Sequence, residues 1–135
     1  MRKAILTLRM AGFTDVKSRE ILERYPGQLS EGERHRVALA QVLIREPRLI
    51  ILDEPTGTMD PLTKIDVKHS ILHARDEMDE TFIVVSHDMD FVKDICDRLA
   101  LMRGGKIIEI GKTEDVLSIL SEDEREIMGK VDVKE

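Results

Sequence analysis

Two short apolar runs limit this chain more than anything else in it: Leu49-Ile50-Ile51-Leu52 and Thr81-Phe82-Ile83-Val84-Val85. The first is continuous enough to predict a strand buried on both faces, and the β-branched and aromatic second run predicts another buried strand. Between them, Pro61 to about Met78 places Ile65, Ile71, Leu72 and Met78 at helical spacing and predicts an amphipathic helix. Strand, helix and strand in that order make the fold class α/β. The first run ends in Asp53-Glu54-Pro55-Thr56 and the second in Ser86-His87-Asp88. Both therefore deliver polar groups at carboxyl ends, where α/β sheets bind ligands.

The remaining elements follow from local signals. Residues 2 to 10 and 16 to 24 predict two short helices, broken at Ala11-Gly12-Phe13-Thr14-Asp15. Gly12 suits a helix stop, and Thr14 or Asp15 an N-cap. Tyr25-Pro26-Gly27 ends the pair. Ser30 with Glu33 three residues later is a capping-box pattern. The helix it opens runs to about Arg45, with Val37, Leu39, Ala40, Leu43 and Ile44 on an apolar face. Pro47 stops it. Leu99 to Met102 and Lys106 to Ile110 flank Arg103-Gly104-Gly105 and predict a hairpin. A helix at about Thr113 to Leu120 and a charged tail over 121–135 finish the sequence.

Composition narrows the setting. At 135 residues the chain allows one modest core. With only 3% aromatic residues, that core must be built from Leu, Ile, Val and Met. A net charge of -6 argues against a general nucleic-acid binder, so no nucleic-acid partner is expected. Cys96 is the sole cysteine and excludes an intrachain disulfide; between Ile95 and Leu99 it predicts a packed thiol in a reducing cytoplasm. No apolar stretch approaches the ~20 residues of a membrane span. Arg9 interrupts the apolar start, and no cleavage site follows it. A soluble, cytoplasmic chain is the expectation.

The polar segments suggest phosphate chemistry. An apolar strand ending in Asp53-Glu54 can hold Mg²⁺ through Asp53 while Glu54 orients and deprotonates an attacking water. A buried strand can also end in an acidic turn without such a role, and the Pro55-Thr56 and Asp60 that follow weigh for function. Ser30 and Gly32 stand at a helix start, where free N–H groups and the positive dipole end attract phosphate. Capping by Ser30 uses the same donors, so both readings are compatible. His87, after the second strand, can donate to a terminal phosphate oxygen, or simply be satisfied in its loop. His35, His69 and His73 fall on helix surfaces; the spacing of the last two is that of metal ligands, but no acidic or thiol partner stands near them in sequence.

A phosphate loop, G-x-x-x-x-G-K-[ST], is missing. Gly111-Lys112-Thr113 has Lys106 where the first glycine belongs, and Gly105-Lys106 and Gly129-Lys130 have Ala100 and Glu124. Gly27 and Gly32 have the glycine spacing, but Glu33 follows instead of lysine.

In combination, the order Leu29-Ser30-Glu31-Gly32-Glu33, Asp53-Glu54, Gly57-Thr58-Met59-Asp60 and His87 resembles the signature, Walker B, D-loop and switch-histidine segments of ATP-binding-cassette (ABC) ATPases. The likeness runs from Gln28 to about Leu117 and includes Tyr25-Pro26-Gly27-Gln28 and Arg103-Gly104-Gly105-Lys106. It implies the C-terminal portion of a P-loop NTPase nucleotide-binding domain. Residues 1–28 would be a remnant of the helical subdomain, 29–120 part of the catalytic core, and 121–135 a tail. ATP and Mg²⁺ are the implied cofactors. Asp53 is the implied Mg²⁺ ligand, Glu54 and His87 the implied catalytic residues, and Ser30, Gly32 and Asp60 the implied nucleotide contacts. Ser30 and Gly32 would clamp the γ-phosphate on an opposing domain, and Asp60 would cross the dimer interface.

Two departures bear on the target. Glu31 and Glu33 replace the usual Gly and Gln of the signature, and Gly57-Thr58-Met59-Asp60 replaces Ser-Ala-Leu-Asp. Carboxylates beside a phosphate site weaken it unless they point away. These variants are similar to the component A-2 family of the methyl-coenzyme M reductase system of methanogens, soluble proteins with two ABC domains. That likeness implies a role in ATP-dependent reductase activation, with the reductase and its activation proteins as partners. The alternatives are the ATPase subunit of a membrane transporter, partnered by a permease, and a non-catalytic truncated module. A chromosome protein of the SMC or Rad50 kind needs a coiled coil, and residues 1 to 28 show no heptads. A Walker A-containing half, upstream or on a second chain, is the expected partner of a working ATPase. The chain alone is expected not to hydrolyse ATP.

Overall fold

The computed structural model describes residues 1–120; the charged tail lies outside them. They form two compact units that divide between Ile83 and Val84. Most of the first is helical. Helix α1 (Arg2–Met10) ends at Ala11, and α2 spans Asp15–Leu22. Gly12 between them has φ +89°, and a β-carbon there would meet the Ser70 hydroxyl at 2.9 Å. Glycine is thus needed twice, for the left-handed backbone and for close approach to a neighbouring helix. Thr14, rather than Asp15, caps α2 by accepting from the Lys17 N–H at 3.2 Å.

A 3-10 turn at Pro26–Gln28 leads into α3 (Glu31–Leu43), which packs against both α1 and α4 (Pro61–Glu77). Leu39, Ala40 and Leu43 are buried on α3 as its spacing predicts, while Val37 and Ile44 are only half-buried. On α4 the buried stripe is Val67, Ser70, Ile71 and Ala74. Ile65, expected inside, is 44% exposed. The inward face is rotated because small residues, Ser70 and Ala74, are what the close Gly12 turn and the packed helices admit.

The strands correct the sequence reading more sharply. Strand β1 (Leu49–Asp53) and β2 (Thr81–Val85) form a two-stranded sheet. Ile50 is 1% exposed, yet Leu49 is 48% and Ile51 63% exposed. Ile83 and Val85 are likewise exposed on β2. Their alternating burial is that of a sheet covered on one face, not two. Continuous apolar character therefore marks strands with a cover on both faces, and the described residues supply one cover.

In the second unit, α5 (Met89–Ile95) is capped by Asp88, whose carboxylate accepts from the Phe91 N–H at 3.0 Å. The expected hairpin is present: β3 (Arg98–Arg103) pairs antiparallel with β4 (Lys106–Lys112), Arg103 opposite Lys106. Gly104 and Gly105 have φ +56° and +73°, the positive values that a two-residue primed turn demands. A register irregularity falls between Leu101 and Met102. Leu101 joins Val116 and Leu120 in a small core beneath α6 (Thr113–Ile119), whereas Met102 is exposed, against the expectation that methionines serve the core. The Thr113 hydroxyl donates to the Cys96 carbonyl at 2.6 Å and ties α6 to the end of α5. Cys96 itself is half-buried.

Candidate functional site

Ser30 and Glu33 form the capping box that their spacing predicts. The Ser30 hydroxyl accepts from the Glu33 N–H at 3.1 Å, and the Glu33 carboxylate accepts from the Ser30 N–H at 3.0 Å. A second polar contact was not legible. Lys17 of α2 reaches Glu33 at 2.9 Å, and Arg24 stands 4.0 Å from its other oxygen. The Lys17 contact, then the Ser30 N–H, holds the Glu33 carboxyl below its ordinary value of 4.5. Glu33 thus points back over its own helix start; Glu31 is exposed.

Asp60 caps α4 as Ser30 caps α3. One of its oxygens accepts from the Leu62 and Thr63 N–H groups, each at 3.1 Å, and the other accepts from the Thr63 hydroxyl. Those bonds, the Thr63 hydroxyl first, lower the Asp60 pKa. The two helix starts meet through Gly32: a β-carbon placed there would lie 3.3 Å from the Thr63 methyl. Ser30, Gly32 and Asp60 are therefore brought into one neighbourhood, with Thr63 as the link. The sign of Thr63 in the sequence is its place three residues after a capping Asp; Lys17 left no comparable sign.

Asp53 ends β1 exposed, and Glu54 follows half-buried with φ +46°. That conformation costs a non-glycine residue about 1–2 kcal/mol, and strain of this kind clusters where a side chain must be aimed. Two turns then carry the chain to α4, Gly57 N–H to Glu54 C=O at 3.1 Å and Met59 N–H to Thr56 C=O at 3.2 Å. Thr56 and Met59 anchor them, at 1% and 6% exposure.

A cavity of about 190 Å³ lies beside Asp53, walled by Arg36 and Leu39 of α3, Ile51 and Leu52 of β1, and Val67 and Ile71 of α4. The Arg36 guanidinium stacks 4.5 Å above the Phe13 ring. Its charge inside an apolar helix face was the available signal for this residue.

Among the described residues, no cluster of three or more His, Cys, Asp or Glu could cage a metal ion. Two adjacent carboxylates at an exposed strand end fit a different arrangement, Mg²⁺ held by one or two carboxylates together with the oxygens of a bound phosphate. His87 belongs to the second unit and is exposed. The Ser86 hydroxyl accepts from the Asp88 N–H at 3.0 Å, closing a turn around it.

Comparison with known structures bears on the fold. The structure of cbiO1 from Clostridium perfringens, part of the ABC transporter complex cbiONQ, is similar at a TM-score of 0.74 and 31% identity, over 98% of this chain and 49% of that one. The fold is that of an ABC ATPase cassette, in part. The ABC transporter family matches residues 2–57, from α1 through Asp53 and Glu54. A dimeric cassette in a post-hydrolysis state, bound to ADP and Pi, is similar at a TM-score of 0.64 and 27% identity, over 83% of this chain and 46% of that one.

Homologues of the cassette are ABC transporter ATP-binding proteins. One from Methanocaldococcus jannaschii is 56% identical over 93% of this chain and 23% of its own length. The methionine import ATP-binding protein MetN 1 of Oceanobacillus iheyensis is 35% identical over 87% of this chain and 33% of its own. The chain thus spans a third or less of these relatives and about half of the solved cassettes. No helix among the described residues is long and apolar enough to cross a membrane.

Proposed function

We propose that this chain supplies the signature, Walker B, D-loop and switch-histidine part of an ATP-hydrolysing cassette, completed by a phosphate-loop half from another segment or chain. The observation that carries the reading is the joining of two capped helix starts, Gly32 against Thr63, in the same compact unit as the strand-end pair Asp53-Glu54. Ser30 and Gly32 would contact the γ-phosphate held by an opposing cassette, and Asp60 would reach across the interface. Asp53 would hold Mg²⁺; Glu54, aimed by its left-handed backbone, would take the proton of the attacking water. His87 would sense the γ-phosphate. Bound ATP and Mg²⁺ supply the phosphoryl group and the charge neutralisation. Two features support a separate half: the share of the solved cassettes that is covered, 46–49%, and the uncovered apolar face at Leu49 and Ile51.

Residues 1–28 read in this frame as part of the helical subdomain. For the target, the relatives' names favour the ATP-binding part of a transporter, with a permease as partner. A specific observation keeps the reductase-activation reading as the second. Its support is the pair Glu31 and Glu33, together with the length of the M. jannaschii relative: a stretch that fills about half of a solved cassette fills 23% of that protein, which leaves room for two cassettes.

Mg-ATP turnover measured on the purified 135-residue chain is expected to stay at the buffer rate, because nothing in it replaces the phosphate-loop lysine. Turnover by the chain alone, abolished by Glu54→Gln, would overturn the need for a second half. Co-purification with permease subunits supports the transporter, and co-purification with the reductase supports the activation system.

A further inference from the structure

Glu33, like the exposed Glu31, is a first-turn residue at the start of α3 ill suited to phosphate. A first-turn carboxylate stabilises its own helix but repels an anion arriving at the same N–H groups. Here both of its oxygens are engaged. One accepts from the Ser30 N–H at 3.0 Å and faces Arg24 at 4.0 Å; the other meets Lys17 at 2.9 Å. The Glu33 side chain is 13% exposed and that of Lys17 34%, so solvent screens the pair only partly. Glu20 lies 3.6 Å from both Lys17 and Arg24, giving a cluster of two cations and two carboxylates with no net charge.

We propose that Lys17 is a positioning residue for phosphate recognition: it cancels the charge of Glu33 and holds that carboxylate on the Ser30 N–H, leaving the start of α3 attractive to a phosphate chain. The inference rests on the reading of Ser30 and Gly32 as phosphate contacts. Lys17 has this role rather than Arg24 because it makes the short, charge-assisted bond, 2.9 Å against 4.0 Å. A glutamate at this position is then compatible with phosphate binding so long as α2 keeps its lysine. The neutral isostere glutamine, which can make the same capping bond, needs no lysine at all.

The test titrates sodium tripolyphosphate into the full chain and follows the backbone amides of Ser30 to Glu33 by NMR, for wild type, Lys17→Met, Glu33→Gln and the double variant. Wild type is expected to show saturable shifts at those amides. Lys17→Met should weaken the apparent affinity about two- to fivefold, the size of one charge at a helix terminus. The double variant should bind as Glu33→Gln does, since without the carboxylate there is nothing to compensate. Equal affinity in Lys17→Met and wild type overturns the proposal. So does a double variant as weak as Lys17→Met, which would make Lys17 a structural residue or a direct phosphate contact. Absence of shifts at Ser30 to Glu33 in both wild type and Glu33→Gln overturns the phosphate reading itself, and the role of Lys17 with it.

Discussion

Ile50 and Ile51 are neighbours of identical chemistry with opposite fates, one sealed at 1% exposure and the other open at 63%. The same contrast separates the helical layer of the first unit from its strands. Helix α3 finds everything it needs inside the chain: a capping box at its start, and α1 and α4 against its apolar face. Strand β1 finds a cover for one face only. Local signals and helix packing are self-contained here, whereas the sheet depends on surroundings that the described residues do not provide. Asp53 and Glu54, the carboxylates proposed to serve Mg²⁺ and the attacking water, sit at the end of the less self-contained element.

The sharpest way to break this contrast is to truncate both isoleucines. Ile50→Ala should cost about 2–5 kcal/mol, transfer and cavity terms together, while Ile51→Thr should stay within about 0.5 kcal/mol. Urea denaturation reads both, and similar losses would mean that Ile51 is covered in solution. Removing the cap from the self-contained element comes next. Ser30→Ala should cost about 1 kcal/mol in the same measurement; a negligible cost would show that the Glu33 half of the box is enough. The smallest effect has the opposite sign. Glu54→Gly relieves the left-handed backbone but loosens the unfolded chain, for a net gain under about 1 kcal/mol. A thermal melt of that variant would separate strain kept for function from strain with some other compensation, since destabilisation would show that the Glu54 side chain holds the turn together.

The sequence was readable wherever the cause lay within a few residues. The Ser30–Glu33 box, the Gly12 stop and the Gly104-Gly105 turn are each complete within such a stretch, and each is present. The positions of the candidate site residues were readable for a related reason: a strand end and two helix starts announce themselves by residue type. What could not be read was set by distant partners. The burial of Leu49 and Ile51 depends on what lies opposite. The Lys17–Glu33 pair joins residues from different helices, and the positive φ of Glu54 has no marker in its side chain. The inward turn of α4 toward Val67 and Ala74 was decided by its neighbours, not by the spacing of its largest apolar residues.

Asp60 adds a final consequence. An ionised carboxylate offers about four acceptor directions, and three of the four on Asp60 are already engaged by Leu62 and Thr63. If Asp60 reaches a facing cassette as proposed, it has little acceptor capacity to spare. On that reading a stronger grip on the partner would loosen the first turn of α4, and the close approach of Gly32 to Thr63 would pass the loosening to the start of α3. Dimer contact and phosphate contact would then compete for the same few bonds, a built-in reason for the two helix starts to register the same event.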